Sequence, residues 1–138
     1  MFPEDTKILI CDDSKIARRL LKLELITSNF KNIQEAESGA EALEIIQVSL
    51  DKPGQRVELL FLDIVMPGIS GVDLVKILKE IDPILVIIMA SAESDRVTVM
   101  QTLKNGANNY IVKPYDRGQV LEKMKCTWEK LKNPPPQA

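Results

Sequence analysis

Histidine is absent from the 138-residue sequence. That absence excludes a histidine-based catalytic triad, a histidine-ligated zinc site and any role as a phosphohistidine carrier within this chain. Cysteine is scarce: Cys11 and Cys126 are the two, too few for a disulfide framework, so the reducing cytosol is the default compartment. A basic excess is also missing. Eighteen Lys plus Arg face twenty Asp plus Glu, a net charge of -2, which argues against a general nucleic-acid binder. No apolar run approaches a bilayer span, so no membrane helix is expected. The acidic start, Met1 to Thr6, lacks the basic and apolar regions of a signal peptide. With six Gly and eight Pro, the composition is neither collagen-like nor disordered.

The length predicts one domain with a core that needs no disulfides. Three apolar runs do not alternate with polar residues: Lys7 to Cys11, Leu59 to Leu62, and Leu85 to Ala90. Such runs read as strands buried on both faces of a parallel sheet. Ile33 to Ala36 and Tyr110 to Val112 are weaker candidates and read as sheet edges. Between them lie segments of helical period. The stripes are Ile16, Leu20 and Leu23; Leu43, Ile46 and Leu50; Leu74, Ile77, Leu78 and Ile81; and Leu121, Met124, Trp128 and Leu131. A weakly periodic stretch from Arg96 to Asn105 supplies the fourth helix. Ser38 with Glu41 forms a capping box, Ser70 with Asp73 mimics one, and Asp116 caps the last helix. Gly106 and Pro83 are stop signals. Strand then helix, five times over, predicts a doubly wound parallel α/β sheet with helices on both faces.

In such sheets function gathers beyond the carboxyl ends of the strands. Four ends carry distinctive chemistry: Asp12-Asp13, Asp63, Ser91 and Lys113-Pro114. Three carboxylates in one small volume repel each other unless a cation relieves them, and a hard divalent ion such as Mg²⁺ prefers oxygen ligands. Lys113 adds a positive charge and Ser91 a hydroxyl donor. Together with Mg²⁺ they suit a transferring phosphoryl group. A carboxylate can itself accept that group as an acyl phosphate. Asp63, alone between its apolar strand and the turn Met66-Pro67-Gly68, is the acceptor; Asp12 and Asp13 are the metal-holding pair.

This constellation resembles the receiver domain of two-component response regulators. The resemblance is carried by Ile8 to Ser14, Ala36 to Leu43, Leu62 to Gly68, Met89 to Ala92 and Gly106 to Pro114. It implies a flavodoxin-like sheet of order 2-1-3-4-5, with a receiver domain over residues 1–132 and a Pro-rich frayed tail at 133–138, no output domain following. Asp63 is then the phosphoacceptor, with Mg²⁺ held by Asp12, Asp13, Asp63 and the backbone carbonyl of Val65, Asp13 most directly. Ser91 and Lys113 answer the phosphoryl oxygens, the Lys113–Pro114 peptide is cis, and Tyr110 is the aromatic that turns inward when Ser91 shifts. Val65 and Glu93 line the path of attacking water and tune the dephosphorylation rate.

The function so implied is that of a stand-alone, chemotaxis-type or phosphorelay receiver rather than an enzyme. Its phosphoryl donor would be a sensor histidine kinase or a histidine phosphotransfer protein. Its output would pass through the fourth helix, fifth strand and fifth helix to a protein target, such as a flagellar motor switch or a phosphatase. Neither nucleic acid nor membrane is expected as a partner. The expected state is a cytoplasmic monomer, with a phosphorylation-linked dimer as the alternative. Three other readings stand beside it: a Mg²⁺-dependent aspartyl-phosphate phosphatase or phosphotransferase, a degenerate scaffold, and a receiver excised from a longer DNA-binding regulator. The phosphatase class places a second Asp two residues after the nucleophile, where this chain has Val65. The intact set of Asp12, Asp13, Asp63, Ser91 and Lys113 argues against the scaffold. Cys11 reads as an inert buried thiol, and Arg18-Arg19, Lys123 and Lys125 as solvated helix faces.

Overall fold

Each apolar run becomes a strand. These are β1 (Lys7–Cys11), β2 (Asn32–Ala36), β3 (Leu59–Asp63), β4 (Val86–Ala92) and β5 (Asn109–Lys113). They alternate with α1 (Lys15–Thr27), α2 (Gly39–Leu50), α3 (Gly71–Ile81), α4 (Arg96–Lys104) and α5 (Arg117–Lys132). The structure is a computed structural model that describes residues 1–92 and 96–133. Glu93 and the end of the tail, 134–138, lie outside the described residues.

All pairings are parallel and the order is β2-β1-β3-β4-β5, so the two weaker candidates do form the edges. Parallel strands need crossovers, and the helices that supply them cover both faces. Along β1, Leu9 and Cys11 face one core layer while Ile8 and Ile10 face the other. The first layer packs Leu9, Leu60, Leu62, Ile87 and Met89 against Ile46 of α2, Leu74 and Leu78 of α3 and Val99 of α4. The second packs Ile8, Ile10, Phe61 and Ile88 against Leu21 and Leu25 of α1 and Val120 and Met124 of α5. An unalternating run is what two covered faces demand.

The caps form as spaced, with one difference. Ser38 accepts from Glu41 N–H, but the Glu41 carboxylate bonds Glu37 N–H, one residue short of a reciprocal box. Asp116 and Gln119 make the full exchange.

Helix α1 corrects the sequence reading. Its predicted inward stripe faces solvent, with Ile16 73%, Leu20 59% and Leu23 60% exposed. The buried face is Arg18, Leu21 and Leu25, spaced i, i+3, i+7 where the predicted stripe is spaced i, i+4, i+7. Two stripes of equal period compete on this helix, and the presence of Arg18 made the true one look polar. Arg18 itself, expected in solvent, is 5% exposed.

Replacing Leu25 by Ala should therefore destabilise the fold by about 2–5 kcal/mol, the range for an emptied core leucine. Leu20→Ala should stay within about 0.5 kcal/mol. Urea unfolding of both variants checks the assignment; equal losses would mean that α1 is turned the other way.

Candidate functional site

The strand order brings the chemistry together. β1 and β3 are neighbours with Cys11 opposite Leu62, so Asp12 and Asp63 emerge side by side. β4 runs beside β3, and β5 beside β4 with Ala92 opposite Lys113. Asp12 and Asp63 are buried, whereas Asp13 is exposed. Oxygens of all three carboxylates lie within 4.8 Å of one another. Lys113 reaches across from β5, its Nζ 2.9 Å from Asp12 Oδ2 and 3.4 Å from Asp63 Oδ2.

Backbone groups fix the carboxylates further. Ser14 N–H donates to Asp12 Oδ1 at 2.9 Å, and Val65 N–H donates to Asp63 Oδ1 at 3.2 Å. The loop after Asp63 depends on two glycines. Gly68 has φ +90°, and a Cβ at Gly71 would stand 2.9 Å from Ile64 Cα, so α3 begins hard against the acid strand only because that side chain is missing.

The electrostatics follow from burial. Desolvation raises the Asp63 carboxyl from 3.8 to about 6, against the pull of Lys113; the charge of Asp12 adds to the rise and the Val65 N–H opposes it. Lys113 is pulled down by its own burial, but the bond to Asp12 and the charges of Asp63 and Asp12 outweigh this and leave it raised. Burial first, then Asp12 and Asp63, push the Cys11 thiol up to about 12. It stays a thiol, pointing at the Ser38 carbonyl at 3.3 Å, which agrees with the inert reading.

Ser91 is 1% exposed and its hydroxyl has no hydrogen-bond partner among the described residues. It also lines a groove of about 490 Å³, together with Ala92, Val99, Met100, Tyr110 and Val112. Tyr110 is half-buried, its ring 4.9 Å beneath the Lys123 ammonium. The Val65 side chain is 64% exposed, and the Lys113–Pro114 peptide is cis. Arg18 was missed at the sequence level. Its Nη1 donates to the Asp12 carbonyl at 2.7 Å, and its place on the Leu21 and Leu25 face was the one signal available.

Residues 8–125 match the family described as the response regulator receiver domain. The chain belongs to that family. It is 36% identical over 121 residues to chemotaxis protein CheY of Bacillus subtilis, covering 88% of this chain and 96% of that one. Chemotaxis protein CheY-3 of Vibrio cholerae is 34% identical over 130 residues, covering 93% and 95%. Among solved structures, a CheY-like receiver domain protein from Methanospirillum hungatei superposes with a TM-score of 0.80 at 26% identity, covering 93% of this chain and 98% of that chain. This receiver domain is thus of the CheY-like type, a module of two-component signalling. No helix among the described residues is long and apolar enough to cross a membrane.

The receiver's acid pocket is chemically fit for a divalent cation. Its donors are all oxygen, three carboxylates converge, and the raised Asp63 value reports negative charge that burial leaves undercompensated. Those are the terms on which Mg²⁺ binds.

Without metal, the Asp63 charge works against folding. An acid whose folded value exceeds its unfolded value holds its proton longer in the folded state. Its penalty is therefore absent below about pH 4 and complete above about pH 6. In chelator near neutral pH, Asp63→Asn should be more stable than wild type by on the order of 2 kcal/mol. The gap should close as pH falls through that window. Urea titrations of both proteins across the range decide it; a gap that widens toward acid would contradict the assignment.

Proposed function

We propose that this receiver accepts a phosphoryl group on Asp63 from a phosphohistidine of another protein and passes the event to a protein target. The observation that carries the reading is the convergence of Asp12, Asp13 and Asp63 within 4.8 Å, with Lys113 Nζ bridging Asp12 and Asp63. A carboxylate oxygen of Asp63 attacks phosphorus as the P–N bond of the donor breaks. An acyl phosphate forms, and the leaving imidazole nitrogen takes up a proton from solvent. Mg²⁺, held by Asp12, Asp13, Asp63 and the Val65 carbonyl, would offset charge on the phosphoryl oxygens when bound. Lys113 already spans the gap and needs a small shift to meet a phosphoryl oxygen. The unpartnered hydroxyl of Ser91 can donate to another.

These 138 residues contain no histidine, so the proposed donor is a phosphohistidine outside them, on a sensor histidine kinase or a histidine phosphotransfer protein in the cytoplasm. The exposed stripe of Ile16, Leu20 and Leu23 on α1 begins three residues after Asp13 and offers that donor an apolar face next to the acceptor. A contiguous exposed apolar stripe is the expected mark of an interaction surface. The domain is proposed to span residues 1–132 and to act as a monomer before phosphorylation.

Output runs through Ser91. Its movement toward the phosphoryl group vacates space beside Tyr110, and the groove between α4 and β5 lets the ring follow. The α4–β5–α5 face changes shape, and a partner protein there, such as a flagellar motor component or a phosphatase, reads it. The apolar Val65 side chain cannot orient water, so the acyl phosphate is long-lived.

Small phosphodonors with Mg²⁺ should phosphorylate the wild-type chain without a kinase and leave Asp63→Asn unmodified in intact-mass spectra. Followed over time in the same spectra, Val65→Asn should lose its phosphoryl group several-fold faster than wild type. Modification of Asp63→Asn at the wild-type level would remove Asp63 as acceptor, and equal decay would remove Val65 from rate control.

Amide exchange with and without beryllofluoride, a phosphoryl mimic, tests the output surface. Changes should concentrate between Ser91 and Val120 and be blunted in Ser91→Ala. Changes confined to α1 and the loop after Asp63 would place the output elsewhere.

A further inference from the structure

The two acids that end β1 are held from behind by a side chain that bonds their backbone. Arg18 is 5% exposed. Its Nη1 donates to the Asp12 carbonyl at 2.7 Å, and its Nε to Glu35 Oε1 at 3.2 Å. We infer that Arg18 is a positioning residue that fixes the Asp12–Asp13 peptide and so aims both carboxylates into the acid pocket. The inference rests on the reading of that pocket as a Mg²⁺ and phosphoryl site.

The local covalent geometry shows why one hydrogen bond can do this. Asp12 N–H donates to the Ala36 carbonyl at 3.2 Å, the last link of β1 to β2. Ser14 is already the N-cap of α1. The Asp12 carbonyl thus falls between ladder and helix, where regular structure supplies no donor. The peptide plane that contains this oxygen also contains Asp13 N and both Cα atoms. Fixing the oxygen therefore fixes the roots of both side chains.

The guanidinium is a rigid planar fork, and its second prong is tied to the edge strand. Glu35 of β2 accepts from Nε, and it also meets Lys22 Nζ at 3.5 Å. Glu37 stands 3.6 Å from Nη2 on the outer side. A chain of charge-assisted contacts thus runs from β2 through α1 to the end of β1, ending on backbone rather than on a carboxylate.

Two simpler accounts predict different results. If Arg18 acted only by its charge, removing a cation beside three carboxylates would tighten Mg²⁺ binding. If it were only a structural ion pair, global stability would fall while the folded protein kept its Mg²⁺ affinity. Positioning predicts weaker binding, opposite in sign to the charge effect.

The test is Mg²⁺ titration calorimetry on the full chain, with amide exchange measured in chelator. Arg18→Met should bind Mg²⁺ roughly tenfold more weakly, the scale of losing a partner that orients a metal ligand. The Asp13 and Ser14 amides should exchange faster while those of β3 and β4 do not. Ser14 is a direct reporter, since its N–H donates to Asp12 Oδ1. At saturating Mg²⁺ the rate of phosphorylation by a small phosphodonor should return close to wild type. Unchanged or tighter Mg²⁺ binding by Arg18→Met overturns the inference. Should that variant not fold, Arg18→Lys decides: it keeps the charge but satisfies one partner, so an intermediate affinity supports positioning and a wild-type affinity overturns it. If the wild-type chain itself takes up no Mg²⁺, the reading of the pocket fails, and exchange at Asp13 and Ser14 alone decides the role of Arg18.

Discussion

Two buried carboxylates with a third beside them, answered among the described residues by the Lys113 ammonium group, set the terms for the rest of this structure. Asp12 and Asp63 are removed from water at the ends of adjacent strands, where neither can move away from the other without breaking the sheet. Lys113, 101 residues along the chain from Asp12, relieves both and still leaves Asp63 raised to about 6. Like charges at such distances destabilise a fold, so the surroundings must hold them. The five strands do so with two covered faces of Leu, Ile, Val and Phe, most of them fully buried. The resulting site has an appetite for positive charge, which a bound cation relieves.

The same constraint explains what could be read in the residues beforehand. Acids directly after unalternating apolar runs are legible because burial on both faces and a polar end leave few other structures open. Caps were legible because their chemistry is local: Ser38, Ser70 and Asp116 each accept the N–H three residues on. Strand order was not legible from periodicity, since the parallel strands could exchange places without changing any local pattern; only the resemblance supplied it. Side-chain direction on α1 failed for a related reason. Ile16, Leu20 and Leu23 make a better apolar stripe than Arg18, Leu21 and Leu25, and only tertiary contact reveals that the arginine finds a carbonyl and a carboxylate inside. A buried charge held by a carbonyl and a carboxylate is invisible to a rule that sorts residues by polarity. The apolar stripe left outside is a surface available to a partner rather than an error of the fold.

In the proposed reading, Ser91 makes the pocket and the groove parts of one device. Its backbone sits in β4 between the acid strand and β5, and its side chain lines the groove. A buried hydroxyl without a partner is costly, on the order of 1–3 kcal/mol. The resting structure therefore carries a small, localised disadvantage that a phosphoryl oxygen would remove. On the neighbouring strand β5, and facing the same groove, Tyr110 is held by packing and by the Lys123 ammonium over its ring. That contact, half in solvent, is worth about 0.5–1 kcal/mol. The two terms are similar in size and opposed in direction. A switch needs its states within a few kcal/mol of each other, so that one new contact can invert their populations. If the proposed switch operates through these residues, a weak penalty at Ser91 and a weak restraint at Tyr110 would meet that condition.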